Sequence, residues 1–68
     1  MTTVAPTDVC VIIAAKNAEA TIARAVASAL AEPETAEVIV VDDGSTDRTV
    51  AAARSADDNS GRLTIARF

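Results

Sequence analysis

The residues best suited to chemistry follow an apolar run in the middle of the chain. Residues 38–41 give way abruptly to Asp42 and Asp43, and then to Gly44, a residue suited to a tight turn. Carboxylates at the end of a buried strand can accept hydrogen bonds from a ligand, bind a cation, or cap the helix that follows. Because adjacent residues of a strand point to opposite sides, we expect the two aspartates to have different roles.

A second corner of the same kind occurs earlier in the chain. The apolar residues 9–15 end in Lys16 and Asn17, and an amphipathic helical pattern follows. Lys16 could contact a phosphate or could simply be solvated, and Glu19 adds negative charge to the first helical turn. Asn17 is predicted to be the N-cap of that helix. A purely structural role also stays open for the aspartates, because both could do no more than bind turn amides.

The elements that must position these corners alternate between strands and helices. We predict strands at about 9–14, 37–41 and 63–66, and helices at about 18–31 and from 45–47 to about 56. Ser45, Thr46 and Asp47 compete as the N-cap of the second helix. The pattern predicts an α/β fold with a βαβαβ, Rossmann-like, parallel three-stranded sheet. In such sheets ligands bind beyond the carboxyl ends of the strands, where both corners lie.

The first strand is apolar throughout, which predicts a strand covered on both faces and a buried Cys10. Right-handed crossovers, however, would put both helices on one face of the sheet. We therefore expect more chain or a partner to cover the second face, and we interpret the sequence as the N-terminal portion of a larger fold. Residues 1–8 are predicted to be a flexible tail, and residues 9–68 to be one incomplete domain.

Composition excludes several classes of function. The net charge is −4 and the basic residues are not clustered, so a nucleic-acid partner is not expected. The chain has no histidine, which excludes a Ser-His-Asp triad and a histidine-based zinc site within it. It also lacks the G-x-G-x-x-G and G-x-x-x-x-G-K-[ST] phosphate-binding motifs. The single cysteine and the lack of a signal peptide or long apolar span favour a cytoplasmic protein, or one at the inner face of the membrane.

The two corners and their flanking elements resemble the start of family 2 glycosyltransferases, which are inverting, nucleotide-diphospho-sugar-dependent enzymes of GT-A fold. The resemblance covers nearly the whole chain after the tail. It rests on residues 11–19, on the helical positions Ile22, Ala25 and Leu30, and on residues 37–49 with their Val-Asp-Asp-Gly-Ser-Thr-Asp string. It implies that the chain is the nucleotide-sugar-binding, N-terminal part of a hexosyltransferase-type enzyme of polysaccharide biosynthesis.

The resemblance also implies roles for individual residues. Asp43 would accept the imide N–H of a uracil-type base, for which an acceptor-only carboxylate is suited. Ala14, Ala15 and Lys16 would lie along the base and ribose, and Glu19 would bind or support the nucleotide region. Asp42 is the weaker nucleotide-binding candidate. The chain departs from the family where Ala14 replaces a frequent proline and Lys16 replaces a residue that is commonly tyrosine.

The remaining machinery of the family is not expected in this chain. The resemblance implies a divalent cation, Mg²⁺ or Mn²⁺, held by a downstream D-x-D motif, and a catalytic base and acceptor site that also lie downstream. We therefore assign no catalytic residue and no metal ligand here, and expect the isolated chain to be inactive. The expected partners are a nucleotide-diphospho-sugar, with a UDP-sugar favoured, a saccharide or lipid-linked acceptor, and the rest of the glycosyltransferase domain.

Two other readings remain open. The chain could be a non-catalytic nucleotide-binding module, which nothing in the sequence separates from part of an enzyme. A receiver-like signalling domain is disfavoured, because it needs an aspartate at the end of its third strand, where this chain has Arg67 and Phe68.

Overall fold

Three strands and two helices alternate along the chain in a computed structural model that describes residues 9–68. They are β1 (Val9–Ala15), α1 (Ile22–Ala31), β2 (Thr35–Asp42), α2 (Thr49–Ser55) and β3 (Leu63–Arg67). The predicted order of elements is confirmed, and each strand extends slightly beyond its predicted bounds. The tail predicted for residues 1–8 lies outside the described residues.

The strands form one parallel sheet in the order β1-β2-β3. Ala15 at the end of β1 pairs in register with Asp42 at the end of β2, and Asp42 pairs with Arg67 at the end of β3. The carboxyl ends of all three strands therefore lie level with one another at one edge of the sheet. This arrangement confirms the predicted α/β, Rossmann-like parallel sheet.

The core lies between the two helices and one face of the sheet. Val38 and Val40 of β2 are fully buried, because β2 is the central strand and alternate residues of a strand share one face. Ile22, Val26 and Leu30 recur every four residues along α1 and form the stripe that packs on this face. Ala53 is the corresponding buried residue of α2. The two helices thus cover the same face, as right-handed crossovers require.

The opposite face of the sheet is exposed within the described residues. Ile12 is 68% exposed, and Cys10 is also exposed. The predictions that β1 is covered on both faces and that Cys10 is buried are therefore wrong for residues 9–68. The reason is topological: both helices cross on one side, so side chains of the other parity have nothing packed over them.

Both helices begin later than predicted. Residues 18–21 form a turn in which the amides of Thr21 and Ile22 donate to the Ala18 carbonyl, at 3.0 and 2.8 Å. The N-cap of α1 is Thr21, whose side chain makes no capping hydrogen bond, so the assignment of Asn17 to that position is wrong. In α2 the N-cap position belongs to Arg48, so the prediction that Ser45, Thr46 or Asp47 occupies it is wrong.

Arg62 forms hydrogen bonds at the end of the sheet opposite to the carboxyl ends of the strands. Its guanidinium donates to the carbonyls of Leu30 and Thr35, each at 2.8 Å, and so joins the last turn of α1 to the first residue of β2. The hydroxyl of Thr35 adds a hydrogen bond to the Ala29 carbonyl at 2.8 Å. The bond to Leu30 satisfies a carbonyl that a helix leaves unpaired at its C-terminus, where the helix dipole also favours a cation.

Candidate functional site

The two polar corners lie side by side at the carboxyl edge of the sheet. We call residues 16–21 loop 1, residues 43–48 loop 2, and the two together the rim. The amide of Asp43 donates to the carbonyl of Ala15 at 2.9 Å, which extends the pairing of β1 and β2 into the start of loop 2. The predicted proximity of the two corners is thereby confirmed.

Asn17 forms one set of contacts between the loops. Its amide donates to the Ser45 hydroxyl at 2.8 Å, and its side-chain Oδ1 accepts from the amide of Thr46 at 2.9 Å. The backbone of Asn17 has a φ of 49°, a left-handed conformation that asparagine adopts more readily than most residues. Asn17 is therefore a bridge to loop 2, 28 and 29 residues away, and not a local helix cap.

Asp47 and Thr49 form a second set of contacts. The Thr49 hydroxyl accepts from the amide of Ala18 at 2.8 Å and donates to Asp47 Oδ1, and Thr49 is fully buried. The other oxygen of Asp47 accepts from the amide of Glu19 at 3.3 Å, while Oδ1 also accepts from the Thr49 amide at 3.0 Å. Of the three predicted capping candidates, Asp47 thus supplies an oxygen to the start of α2.

These donors change the acidity of Asp47. The hydrogen bond from the Thr49 hydroxyl lowers the pKa of this carboxyl below its usual value, since a donor stabilises the charged form. Partial desolvation opposes that effect, and the amides of Thr49 and Glu19 reinforce it. Asp47 therefore holds loop 1 and α2 together as a carboxylate.

The two adjacent aspartates differ sharply in their surroundings. Asp42 is fully buried and accepts a hydrogen bond from the hydroxyl of Ser45. Its Oδ2 has no hydrogen-bond donor within residues 9–68, although the Nε of Arg67 lies 3.8 Å away. Asp43 is exposed, and its carboxylate makes no hydrogen bond to the described residues. As predicted, the pair divides between two sides of the sheet.

The other predicted site residues divide in the same way. Ala14, Lys16 and Glu19 are exposed. Ala15 is only 6% exposed, because its side chain is part of the core under the helices. The structure thus brings Ala14, Lys16 and Asp43 to the accessible edge, with Glu19 farther along loop 1, while the side chains of Ala15 and Asp42 lie on the covered side.

The end of β3 also reaches the rim, which the sequence analysis did not anticipate. The amide of Phe68 donates to the Asp42 carbonyl at 2.9 Å, and the Phe68 carbonyl lies 3.7 Å from where a Cβ on Gly44 would stand. Gly44 has a φ of 71°, which few other residues tolerate. The sequence did contain a signal for this. If β3 is parallel to β1 and β2, the residues that follow it must lie at the same carboxyl edge of the sheet.

The rim is open surface, and residues 9–68 enclose no cavity. This part of the chain contains no group of three or more histidine, cysteine or acidic side chains that could hold a metal ion. Among the described residues no helix is long and apolar enough to span a bilayer. The arrangement can therefore offer an exposed acceptor, an ammonium group and loop backbone to a ligand that lies across the sheet edge.

Comparison with known proteins gives two matches. The family model described as "Glycosyl transferase family 2" matches residues 10–68. The chain is also 71% identical, over 68 residues, to the "Succinoglycan biosynthesis protein ExoU" of Rhizobium meliloti (strain 1021). That alignment covers 100% of this chain and 20% of the relative, so the chain spans a minor part of the relative's length. No solved structure matches the chain.

Proposed function

The chain belongs to glycosyl transferase family 2, and from this membership we propose that the rim binds the nucleotide of a nucleotide-diphospho-sugar in an inverting transfer to an acceptor hydroxyl. The sheet, with its level carboxyl ends, is consistent with the N-terminal portion of a GT-A fold. The relative is named for the biosynthesis of succinoglycan, which supports a saccharide acceptor and a role in polysaccharide synthesis here.

The exposed carboxylate of Asp43 is the observation that most supports this proposal. Its backbone is held by the hydrogen bond to Ala15, while its side-chain oxygens remain free of partners within residues 9–68. A carboxylate has acceptors only, so it complements a base that presents an N–H, such as the imide of uracil. A UDP-sugar is accordingly the donor we propose.

The neighbouring residues are assigned roles by their position. The small side chain of Ala14 leaves room for a flat base to approach the edge, and the ammonium of Lys16 can contact ribose or phosphate oxygens. Glu19 lies on loop 1, where it supports the nucleotide region. Ala15 and Asp42 act from the covered side: Ala15 through its carbonyl, and Asp42 through Ser45.

The residues described do not offer a divalent-cation site, and we assign them no step of catalysis. Asp42 is the one fully buried acid among them, and the cationic Nε of Arg67 lies 3.8 Å from its Oδ2. We propose that residues outside these 68 hold the Mg²⁺ or Mn²⁺ expected for the family. They also supply the base that deprotonates the acceptor. The contribution of this chain is then to bind and orient the nucleotide, without activity of its own.

Titration calorimetry of the full-length protein that carries this sequence tests the proposal. The ligands are UDP, GDP and CDP and their sugar conjugates, and we expect saturable binding of one nucleotide series, with UDP the tightest. A preference for GDP or CDP would revise the base alone. Failure to bind any of the diphosphates would contradict the proposed function, whereas binding without sugar transfer to any acceptor would favour a non-catalytic module.

A further inference from the structure

Resting on the proposed nucleotide site, we propose that Asn17 is a positioning residue that fixes Asp43 for recognition of the base. Asn17 is exposed, and within residues 9–68 its side chain forms hydrogen bonds to Thr46 alone. Its Oδ1 accepts from the amide of Thr46 at 2.9 Å and lies 3.4 Å from the Thr46 hydroxyl. Within residues 9–68, the Asn17 side chain therefore forms hydrogen bonds to loop 2.

The hydrogen bonds of Asn17 also connect it to a buried carboxyl group. Its amide donates to the hydroxyl of Ser45, and that hydroxyl donates its own proton to Oδ1 of Asp42, which is fully buried. Ser45 thus uses its hydroxyl both as acceptor and as donor, which fixes the orientation of the O–H. The chain from Asn17 through Ser45 to Asp42 ties the exposed loops to the rigid end of the central strand.

Asp43 depends on these contacts because it has no side-chain partner of its own in the described chain. Before Asp43 the backbone is fixed by the sheet, through the hydrogen bond to Ala15. After it comes Gly44, which has no side chain to restrict its backbone. Loop 2 is then held at Ser45 and Thr46 by Asn17, so this residue determines whether the segment around Gly44 keeps one conformation.

Loss of the side-chain amide of Asn17 should therefore weaken nucleotide binding more than it weakens the fold. Asn17→Gly keeps a residue that tolerates the positive φ and removes the side-chain acceptor, but it also adds the backbone freedom of glycine, for which a control is needed. A typical net hydrogen bond of about 1 kcal/mol corresponds to a roughly fivefold change in an equilibrium constant, so we expect UDP affinity to fall about fivefold to tenfold. Asn17→Asp, which retains Oδ1 and tolerates the same φ, should recover most of that loss at high ionic strength, where its added negative charge is screened from the diphosphate.

Asn59 provides a matched control. It also has a positive φ, of 61°, and is exposed, but it lies in the turn before β3, away from the rim, and its side chain makes no hydrogen bond within residues 9–68. Asn59→Gly therefore repeats the backbone change without the loop contact. The experiment measures UDP affinity by calorimetry and the urea midpoint of unfolding for the full-length protein, Asn17→Gly, Asn17→Asp and Asn59→Gly.

The expected result is weaker UDP binding in Asn17→Gly alone, recovery in Asn17→Asp, and urea midpoints that leave every variant fully folded under the conditions of the calorimetry. Unchanged affinity in Asn17→Gly, or an equal loss in Asn59→Gly, would overturn the assignment of Asn17 and leave the nucleotide site intact. A loss of affinity that only tracks a lower urea midpoint would overturn it too. Absence of UDP binding in the unsubstituted protein would refute the proposed donor and this inference together.

Discussion

Asp42 and Asp43 show how the same chemical group can occupy two different environments at neighbouring positions. A buried carboxylate is costly unless hydrogen bonds or a cation compensate for lost hydration, and Asp42 has the Ser45 hydroxyl and the nearby Arg67. Asp43 is exposed to solvent, so its carboxylate is accessible to a ligand. The difference follows from the alternation of side chains along a strand, so the sequence could predict that the two aspartates lie on opposite faces of the sheet.

Asp47 should make the stability of the rim sensitive to acid. Its pKa is lowered by the Thr49 hydroxyl and nearby amides, so the folded state favours the charged form. This contribution is fully present above the unfolded pKa, about 3.8, and is lost as the pH falls through the lower folded value. We expect Asp47→Asn to lower the free energy of unfolding at pH 6, and this deficit to shrink as the pH falls below 3.8.

Urea denaturation of the unsubstituted protein and of Asp47→Asn, at pH 6 and at pH 3, measures the difference in their free energies of unfolding. Glu34→Gln is the matched control, because Glu34 is exposed and its carboxylate makes no hydrogen bond within residues 9–68. A deficit for Asp47→Asn that is the same at both pH values would show that the carboxylate charge is not what joins Glu19 to Thr49.

At the scale of elements, the strands were predictable and the starts of the helices were not. Each strand is a short segment rich in apolar residues, continuous in β1 and interrupted by polar residues in β2 and β3, so local pattern suffices. The loops before the helices are held by partners about 30 positions away, as Asn17 by Thr46 and Ala18 by Thr49. Local capping rules assigned Asn17 to the helix because they cannot register a competing partner from another loop.

Arg62 is the clearest case of a residue that sequence patterns could not identify. It precedes β3, yet its donors reach Leu30 and Thr35, which are 32 and 27 residues away. Hydrogen bonds that involve a charged group contribute about 1.5–3 kcal/mol. We expect Arg62→Met, which keeps an unbranched apolar stem, to lower the free energy of unfolding by about 2 kcal/mol, measured by urea denaturation.

Arg54→Met supplies the comparison for that measurement. Arg54 lies in the last turn of α2, is exposed, and its side chain makes no hydrogen bond within residues 9–68. We expect its replacement to change the free energy of unfolding by less than about 0.5 kcal/mol. Equal effects of the two substitutions would mean that the contacts of Arg62 do not stabilise the junction of α1 with β2.

At the scale of the whole molecule, one face of the sheet carries the core and the other is open in residues 9–68. The sequence predicted this asymmetry from handedness alone, since two successive right-handed crossovers place both helices on one side. The prediction that β1 is buried on both faces came from its unbroken apolar run and does not hold for these residues. Ile12, at 68% exposure, is the large apolar side chain of β1 left uncovered on this face.

The open face should make the 68-residue chain prone to associate with itself, because exposed contiguous apolar surface favours association. We expect Ile12→Lys to reduce concentration-dependent association in sedimentation velocity while changing the free energy of unfolding by less than about 0.5 kcal/mol. Ala27→Lys, which adds the same charge on the exposed side of α1, is the control. Equal suppression by both substitutions would attribute the effect to net charge and not to the open face.

The central claim is that the rim recognises a nucleotide base through the carboxylate of Asp43, and calorimetric titration of UDP tests it most directly. The full-length protein is compared with Asp43→Ala and with Asp57→Ala, which removes an exposed acid from the turn that follows α2, at the opposite end of the sheet. Loss of one hydrogen bond to a charged group, about 1.5–3 kcal/mol, predicts at least tenfold weaker binding in Asp43→Ala, with Asp57→Ala unchanged. Unaltered UDP affinity in Asp43→Ala would contradict the account.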